Sequence, residues 1–216
     1  MEKIILLMVL LVFSEAQAAT VIELFTSQGC SSCPPAEKWI GQLRKHPDFM
    51  KGIIPMVWHV DYWDQLGWKD TLAKPEFTER QRKYAATWKS QQVYTPGVIV
   101  DGQEKRNWRD LSLAPNHTSQ EFDIKREDKR LNVVYRPAPG QKLWLAIVSD
   151  GPSIPIQKGE NAGRKLSRDF VVTSLQEGKE KQGSFSWDIS GAEGHAVIWL
   201  EDSGDPKPKQ ATAIRL

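Results

Sequence analysis

The sequence predicts an α/β domain followed by an all-β sandwich domain, and three observations carry that reading. Two near-continuous apolar runs rich in β-formers, VIELF at 21–25 and IIPMVWHV at 53–60, read as buried strands. Each is followed by apolar residues at helical spacing. From about residue 116 onward that spacing disappears. LNVVYRPA, KLWLAIVSD, RDFVVTSL, SFSWDI, HAVIWLED and QATAIRL then succeed one another between Gly, Pro and Asp turns, as the strands of an antiparallel sandwich do.

The first strand hands over to a helix at TSQGCSSCPPA. Ala36, Trp39, Ile40 and Leu43 recur at i, i+3, i+4 and i+7, one apolar face that ends near His46-Pro47. Pro34 and Pro35 fit only the first turn of that helix, where backbone N–H groups lack a helical partner, so Cys30 and Cys33 sit at a helix N-terminus. The second strand runs into DYWDQLGWKD, a loop of three aromatic and three Asp residues. Another helix opens near Pro75 with Phe77, Tyr84, Ala85 and Trp88 on one face. VYTPGVIVDGQEKR reads as a hairpin turning at Asp101-Gly102. The order β, α, β, α, β, β is the thioredoxin-type order, provided that the two apolar strands pair in parallel. A thioredoxin-like domain over 19–115 and a β-sandwich over 116–216 are therefore expected, with LAPNHTSQ at 113–120 as the linker.

Residues 1–18 have the makings of a secretory signal: Lys3, an apolar run from Ile4 to Phe13, and an Ala-x-Ala site ending at Ala18. Ten apolar residues are too few to span a bilayer, and no later segment is apolar enough to cross one, so a periplasmic or secreted protein without a retained membrane span is expected. Cleavage after Ala18 removes one lysine and two glutamates and moves the formal net charge from +2 to +3. That balance, with no cluster of Lys and Arg, argues against nucleic acid as a partner. At 40% hydrophobic and 26% charged residues, the composition is that of an ordinary globular chain.

The two cysteines are three residues apart, and export places them in an oxidising compartment. A bridge closing so short a loop removes little chain entropy, so chemistry explains the pair better than stabilisation does. A helix N-terminus lowers the pKa of the first cysteine of such a pair, which makes Cys30 the attacking thiolate and Cys33 the resolving thiol. Pro96 stands where thioredoxin-like folds place a cis-proline facing the cysteines, with the backbone of Thr95 free to pair with an extended substrate. Glu23, within the first strand, is a candidate buried carboxylate for moving the proton of the second cysteine. His59 and Asp61, two apart at a strand end, point to one side and are expected near the motif, with Trp63, Trp68 and Tyr62 as an apolar rim. Cys30, Cys33 and His59 also make a soft donor set for Cu(I).

The segments VIELFTSQGCSSCPPA at 21–36, WHVDYWDQLGWKD at 58–70, FTERQRKY at 77–84, VYTPGVIVDG at 93–102 and KGENAGRK at 158–165 together resemble the exported bacterial thioredoxin-like proteins of domain-of-unknown-function family 1223. The resemblance spans nearly the whole mature chain. It implies a thioredoxin-like domain and a C-terminal β-sandwich, with Cys30 and Cys33 as the cysteine pair, Pro96 as the cis-proline, and His59, Asp61, Trp63 and Trp68 in the aromatic–acidic segment. The chain departs from the family pattern at Gly97, often a larger polar residue there, and in the short polar KRNWRDLSLAP after the hairpin, where a fuller closing helix is expected.

Three functions compete on these grounds. The first is an exported thiol–disulfide oxidoreductase with no cofactor beyond its redox-active Cys30–Cys33 disulfide, acting on exported proteins with thiols or disulfides and served by an unidentified redox partner. The second is a copper-binding chaperone using the same cysteines. The third is a binding module whose β-sandwich carries the function, with KGENAGRK as a binding loop.

Overall fold

The computed structural model describes residues 19–114 and 122–216. The expected signal peptide and most of the expected linker lie outside the described residues. The elements are β1 (Thr20–Thr26), α1 (Pro34–Gln42), β2 (Ile53–His59), α2 (Pro75–Thr87), β3 (Gly97–Val100), β4 (Gln103–Glu104), β5 (Asp123–Glu127), β6 (Arg130–Val134), β7 (Gln141–Pro155), β8 (Lys165–Glu177), β9 (Ser184–Asp188), β10 (His195–Asp202) and β11 (Gln210–Arg215). Among the described residues no helix is long and apolar enough to cross a membrane.

β1 and β2 pair in parallel, from Thr20 opposite Ile53 to Thr26 opposite His59, and β3 runs antiparallel on the other side of β1. The sheet order β2-β1-β3-β4, with α1 crossing between the parallel strands, is the thioredoxin-like core. All seven residues of β1 and of β2 are buried, which is why both read as apolar runs without alternation. Asp101 and Gly102 both take positive φ, 49° and 78°, the geometry of a tight hairpin turn between β3 and β4. The closing helix expected after this hairpin is reduced to one 3₁₀ turn, Trp108–Asp110, whose Trp108 ring packs on Trp39 of α1.

The β-rich half joins this core edge to edge. β8 pairs in parallel with β2 through Val57 and Val171, so one eight-stranded sheet runs β11-β10-β7-β8-β2-β1-β3-β4. A second sheet, β5-β6-β9, packs on the outer face of β7 and β10: Leu131, Val133, Phe185 and Trp187 meet Leu143, Leu145, Ile147, Ala196, Ile198 and Leu200. The two layers of the expected sandwich are thus present, and the larger one is shared with the thioredoxin-like sheet. β10 is buried on both faces, with Val197 and Trp199 in the main core and Ala196, Ile198 and Leu200 in the second. Its run HAVIWL therefore reads like a central strand, not like one with a solvated face.

β7 and β8 form a long hairpin with register shifts at Ile147/Val148, Ser149/Gly151 and Gly151/Ile154. α1 packs against β8. The hairpin ends in the turn 156–164, and this is the element that brings the C-terminal half to the cysteines.

Candidate active site

Cys30 and Cys33 form a disulfide, with Cα atoms 5.5 Å apart. Cys33 is the N-cap of α1, its carbonyl taking the N–H groups of Ala36 and Glu37, while Pro34 and Pro35 occupy the first turn as expected. The pair therefore faces the positive end of the helix dipole. Thr95-Pro96 is cis. The antiparallel register ends with Phe25 opposite Gly97 and so carries Pro96 to the level of Thr26, where the chain leaves β1 for the cysteine loop.

Both cysteines are 0% exposed, although Ser31 and Ser32 between them face solvent. Two walls flank the cysteine loop. On one side Trp63 lies against Gly29, where a side chain would meet the Trp63 Cβ at 3.2 Å, and the Trp68 Nε1 donates to Gln28 Oε1 at 2.8 Å. On the other side is the 156–164 turn. Asn161, itself 0% exposed, donates both amide hydrogens to backbone carbonyls of the cysteine loop, to Gln28 O at 2.9 Å and to Cys30 O at 2.8 Å. Glu160 accepts the Ser31 N–H at 3.1 Å, and Arg164 donates to Ser31 O and to Asn161 Oδ1. The segment KGENAGRK, singled out as a loop, belongs to this site.

Beneath the motif lies a buried polar cluster. Glu37 sits one turn after Cys33 on the same helix face, and its Oε1 accepts the Thr26 hydroxyl at 2.7 Å. Burial pushes the Glu37 carboxyl above its ordinary range, only partly offset by His59 and the Thr26 hydrogen bond. His59 Nδ1 is 2.6 Å from Asp70 Oδ2, which also accepts the Gln28 N–H at 2.8 Å, so His59 reaches the motif through Asp70. Glu37 and His59 line a small cavity with Ser167 and Asp169, about 10 Å³ of space for the centre of a water molecule, or room for about one water. Asp169 is part-exposed and pairs with Arg44.

Asp70 is buried, which alone would raise its carboxyl; the facing His59 and the N–H groups of Gln28 and Leu72 overcome that and hold it below the ordinary range. A depressed carboxylate stabilises the fold in full above its ordinary value near 3.8 and loses that contribution as pH falls through the folded value. Asp70→Asn should therefore lose about 1.5–3 kcal/mol at neutral pH, the worth of hydrogen bonds to a charged acceptor, and less at pH 2. Urea midpoints at the two pH values test this, and an equal loss at both would refute it.

Two expected placements change. Glu23 faces the other side of the sheet from α1. Its carboxylate is held by Arg80 of α2, with Nε to Oε1 at 2.6 Å and Nη2 to Oε2 at 3.3 Å, and by the Tyr84 hydroxyl. The reason is the period of two: Glu23 and Thr26 are an odd number of residues apart on β1, and Thr26 is the one that meets α1. Asp61 parts from His59 for a different reason: β2 ends at His59, so Asp61 lies beyond the strand and the alternation no longer applies. Its Oδ1 accepts the Thr78 hydroxyl at 2.6 Å, which fixes the start of α2. His59, considered as a third Cu(I) ligand, has Nδ1 occupied by Asp70, and no group of three or more His, Cys, Asp and Glu that could hold a metal ion occurs among the described residues. Glu37, Asp70 and Asn161 are site residues beyond those the sequence predicts. Glu37 does carry a sequence signal, as a carboxylate at i+4 from Cys33 flanking the apolar face of Ala36 and Ile40.

Among solved structures, the chain is similar to protein AGR_C_4864 from Agrobacterium tumefaciens, at 24% identity and a TM-score of 0.66, over 92% of this chain and 95% of that one. It is also similar in fold to HBP35 of Porphyromonas gingivalis, at 15% identity and a TM-score of 0.57, over 93% of this chain and 76% of that one. No curated protein matches. Residues 21–200 match the family described as protein of unknown function (DUF1223), and the chain belongs to that family.

Proposed function

We propose that this protein is an exported thiol–disulfide oxidoreductase, working in the periplasm or after secretion on exported proteins that carry thiols or disulfides. One observation carries the reading: the only two cysteines are joined at the N-terminus of α1, beside a cis-proline, in a thioredoxin-like sheet. A helix start lowers the pKa of the outer thiol and raises its thiolate fraction. In the reductive direction the Cys30 thiolate attacks a substrate disulfide and one substrate sulfur leaves as thiol. Cys33 then attacks Cys30, releasing the second substrate thiol and leaving the Cys30–Cys33 disulfide, which the redox partner reduces. Glu37, one turn below Cys33, takes the proton that Cys33 must lose before it attacks. Thr95 and Pro96 supply the backbone edge for an extended substrate segment, and Trp63 an apolar wall.

The test is equilibration of the purified protein against glutathione redox buffers. A reversible couple between about −120 and −270 mV is expected, the range of working oxidoreductases. A disulfide that resists reduction throughout that range would overturn the proposal.

A further inference from the structure

The burial of both sulfurs poses a problem for any exchange reaction, because a substrate thiolate must reach one of them along the S–S axis. The elements that flank their loop come from different halves of the chain. The Trp63–Trp68 wall belongs to the thioredoxin-like core, next to β2. The 156–164 turn belongs to the tip of the β7–β8 hairpin and meets the cysteine loop through the side chains of Glu160, Asn161 and Arg164.

The turn is self-contained. Ile156 N–H donates to Arg164 O and Gly163 N–H to Ile156 O, while Ala162 and Arg164 close on Gly159 and Asn161. Its own hydrogen bonds do not depend on the cysteine loop, although Gly159 packs on Gly67 and Trp68. Its grip on the motif rests mainly on Asn161, whose two donors and one acceptor are all used, to Gln28 O, Cys30 O and Arg164. The second contact is electrostatic. Glu160 puts a carboxylate on the Ser31 N–H, at the helix start that would otherwise serve a Cys30 thiolate, and the Ser31 hydrogen bonds hold that carboxyl below its ordinary range.

We propose that the 156–164 turn is a redox-coupled cap: it closes over the Cys30–Cys33 disulfide and is released when reduction leaves a thiolate on Cys30, exposing the pair to its substrate. The proposal rests on the oxidoreductase reading for its purpose but not for its mechanics. A dithiol reductant drives the step. Its thiolate bonds to the Cys30 sulfur, the Cys30–Cys33 bond breaks, and the electron pair leaves on Cys33, which takes up a proton. The reductant's second thiol then loses its proton to solvent and displaces Cys30 as a thiolate, and the reductant ends as a cyclic disulfide. The new negative charge lies one residue from the amide that holds Glu160. Like charges there oppose closure, and, by linkage, closure opposes reduction.

Asn161→Ala in the full chain, followed by stopped-flow reduction with dithiothreitol, is expected to speed loss of the disulfide about tenfold or more. Glu160→Gln removes a surface charge without touching the core. Glutamine keeps an acceptor for the Ser31 N–H and removes the charge repulsion, which favours the dithiol, so the variant's equilibrium with glutathione should move threefold to tenfold toward the reduced form, tenfold being about 30 mV. If Asn161→Ala does not fold, the Glu160→Gln equilibrium decides the matter alone. Rates and equilibria equal to those of the parent would overturn the cap. Faster reduction of Asn161→Ala, with neither it nor the parent able to reduce a protein disulfide, would leave the cap standing and sink the oxidoreductase reading instead.

Discussion

Replacing Arg80 by methionine is expected to lower the stability of the fold by about 3–5 kcal/mol, the cost of removing one partner from a buried ion network. Arg80 is 5% exposed, and its guanidinium serves two carboxylates from distant parts of the chain. One is Glu23 of β1; the other is Glu201 of β10, at 3.2 Å from Nη1, while Nη2 also donates to Pro206 O at 3.0 Å. The ring of Trp58 lies 5.2 Å from the guanidinium carbon and that of Trp199 5.0 Å, so the charge is enclosed by aromatic faces as well. Methionine keeps most of the volume but leaves Glu23 and Glu201 buried without a counter-charge. Arg80→Lys should recover part of the loss, since a single ammonium keeps the charge and not the planar fork. Chemical denaturation at neutral pH measures both variants. A loss below about 1 kcal/mol for Arg80→Met would show that water reaches the network and screens it.

The same network shows how the two halves are fastened. Only one residue pair, Val57 and Val171, joins β2 to β8 in the sheet, which is little hydrogen bonding for the junction of two such large pieces. Arg80 adds a polar tie, and the Trp58–Trp199 and Trp144–Trp199 contacts an apolar one, on the α2 side. At the other side of the sheet α1 packs on β8, Arg44 pairs with Asp150 and Asp169, and the 156–164 turn meets the cysteine loop. The C-terminal half is thus attached at several points, of which the 156–164 turn is the one that touches the cysteine loop.

What the sequence discloses here follows from periodicity. β1, α1, β2, α2 and the β3–β4 hairpin each carry a strong local signal, and the prolines at 34, 35, 75 and 96 mark three helix or strand starts. β5 carries none: four of its five residues are exposed and DIKRE has no apolar alternation, so it is visible only once β6 is beside it. The sharing of the sandwich's inner layer with the core was equally hidden, because which strand pairs with which is a long-range fact. The double-sided burial of HAVIWL and of LAIV in β7 was its one local trace. For the site, the cysteines and the cis-proline stand in the motif itself. Asn161 arrives from 131 residues away by tertiary folding, and no spacing within the motif announces it.

Glu37→Gln should separate a functional carboxylate from a structural one, because its two expected effects have opposite signs. Burial raises the Glu37 carboxyl above its ordinary value, so its contribution to stability is complete below about 4.5 and is lost as pH rises through the folded value. At neutral pH, above that ordinary value, the raised pKa is a liability to the fold. Glutamine keeps the acceptor for the Thr26 hydroxyl and removes that liability, so the variant's urea midpoint should rise at neutral pH and match the parent's in acid. The rate of the resolving step should fall, since Cys33 loses its proton acceptor; a loss of about 10²-fold is the lower end of what positioned general bases contribute. Single-turnover release of a mixed disulfide preformed on Cys30 reads that step directly. The deficit should shrink at high pH, where hydroxide deprotonates Cys33 without help. A gain in stability with a loss of rate is the signature of a group kept for chemistry at the expense of the fold. Loss of stability with unchanged release would make Glu37 an ordinary partner of Thr26 and would leave Cys33 to deprotonate through solvent alone.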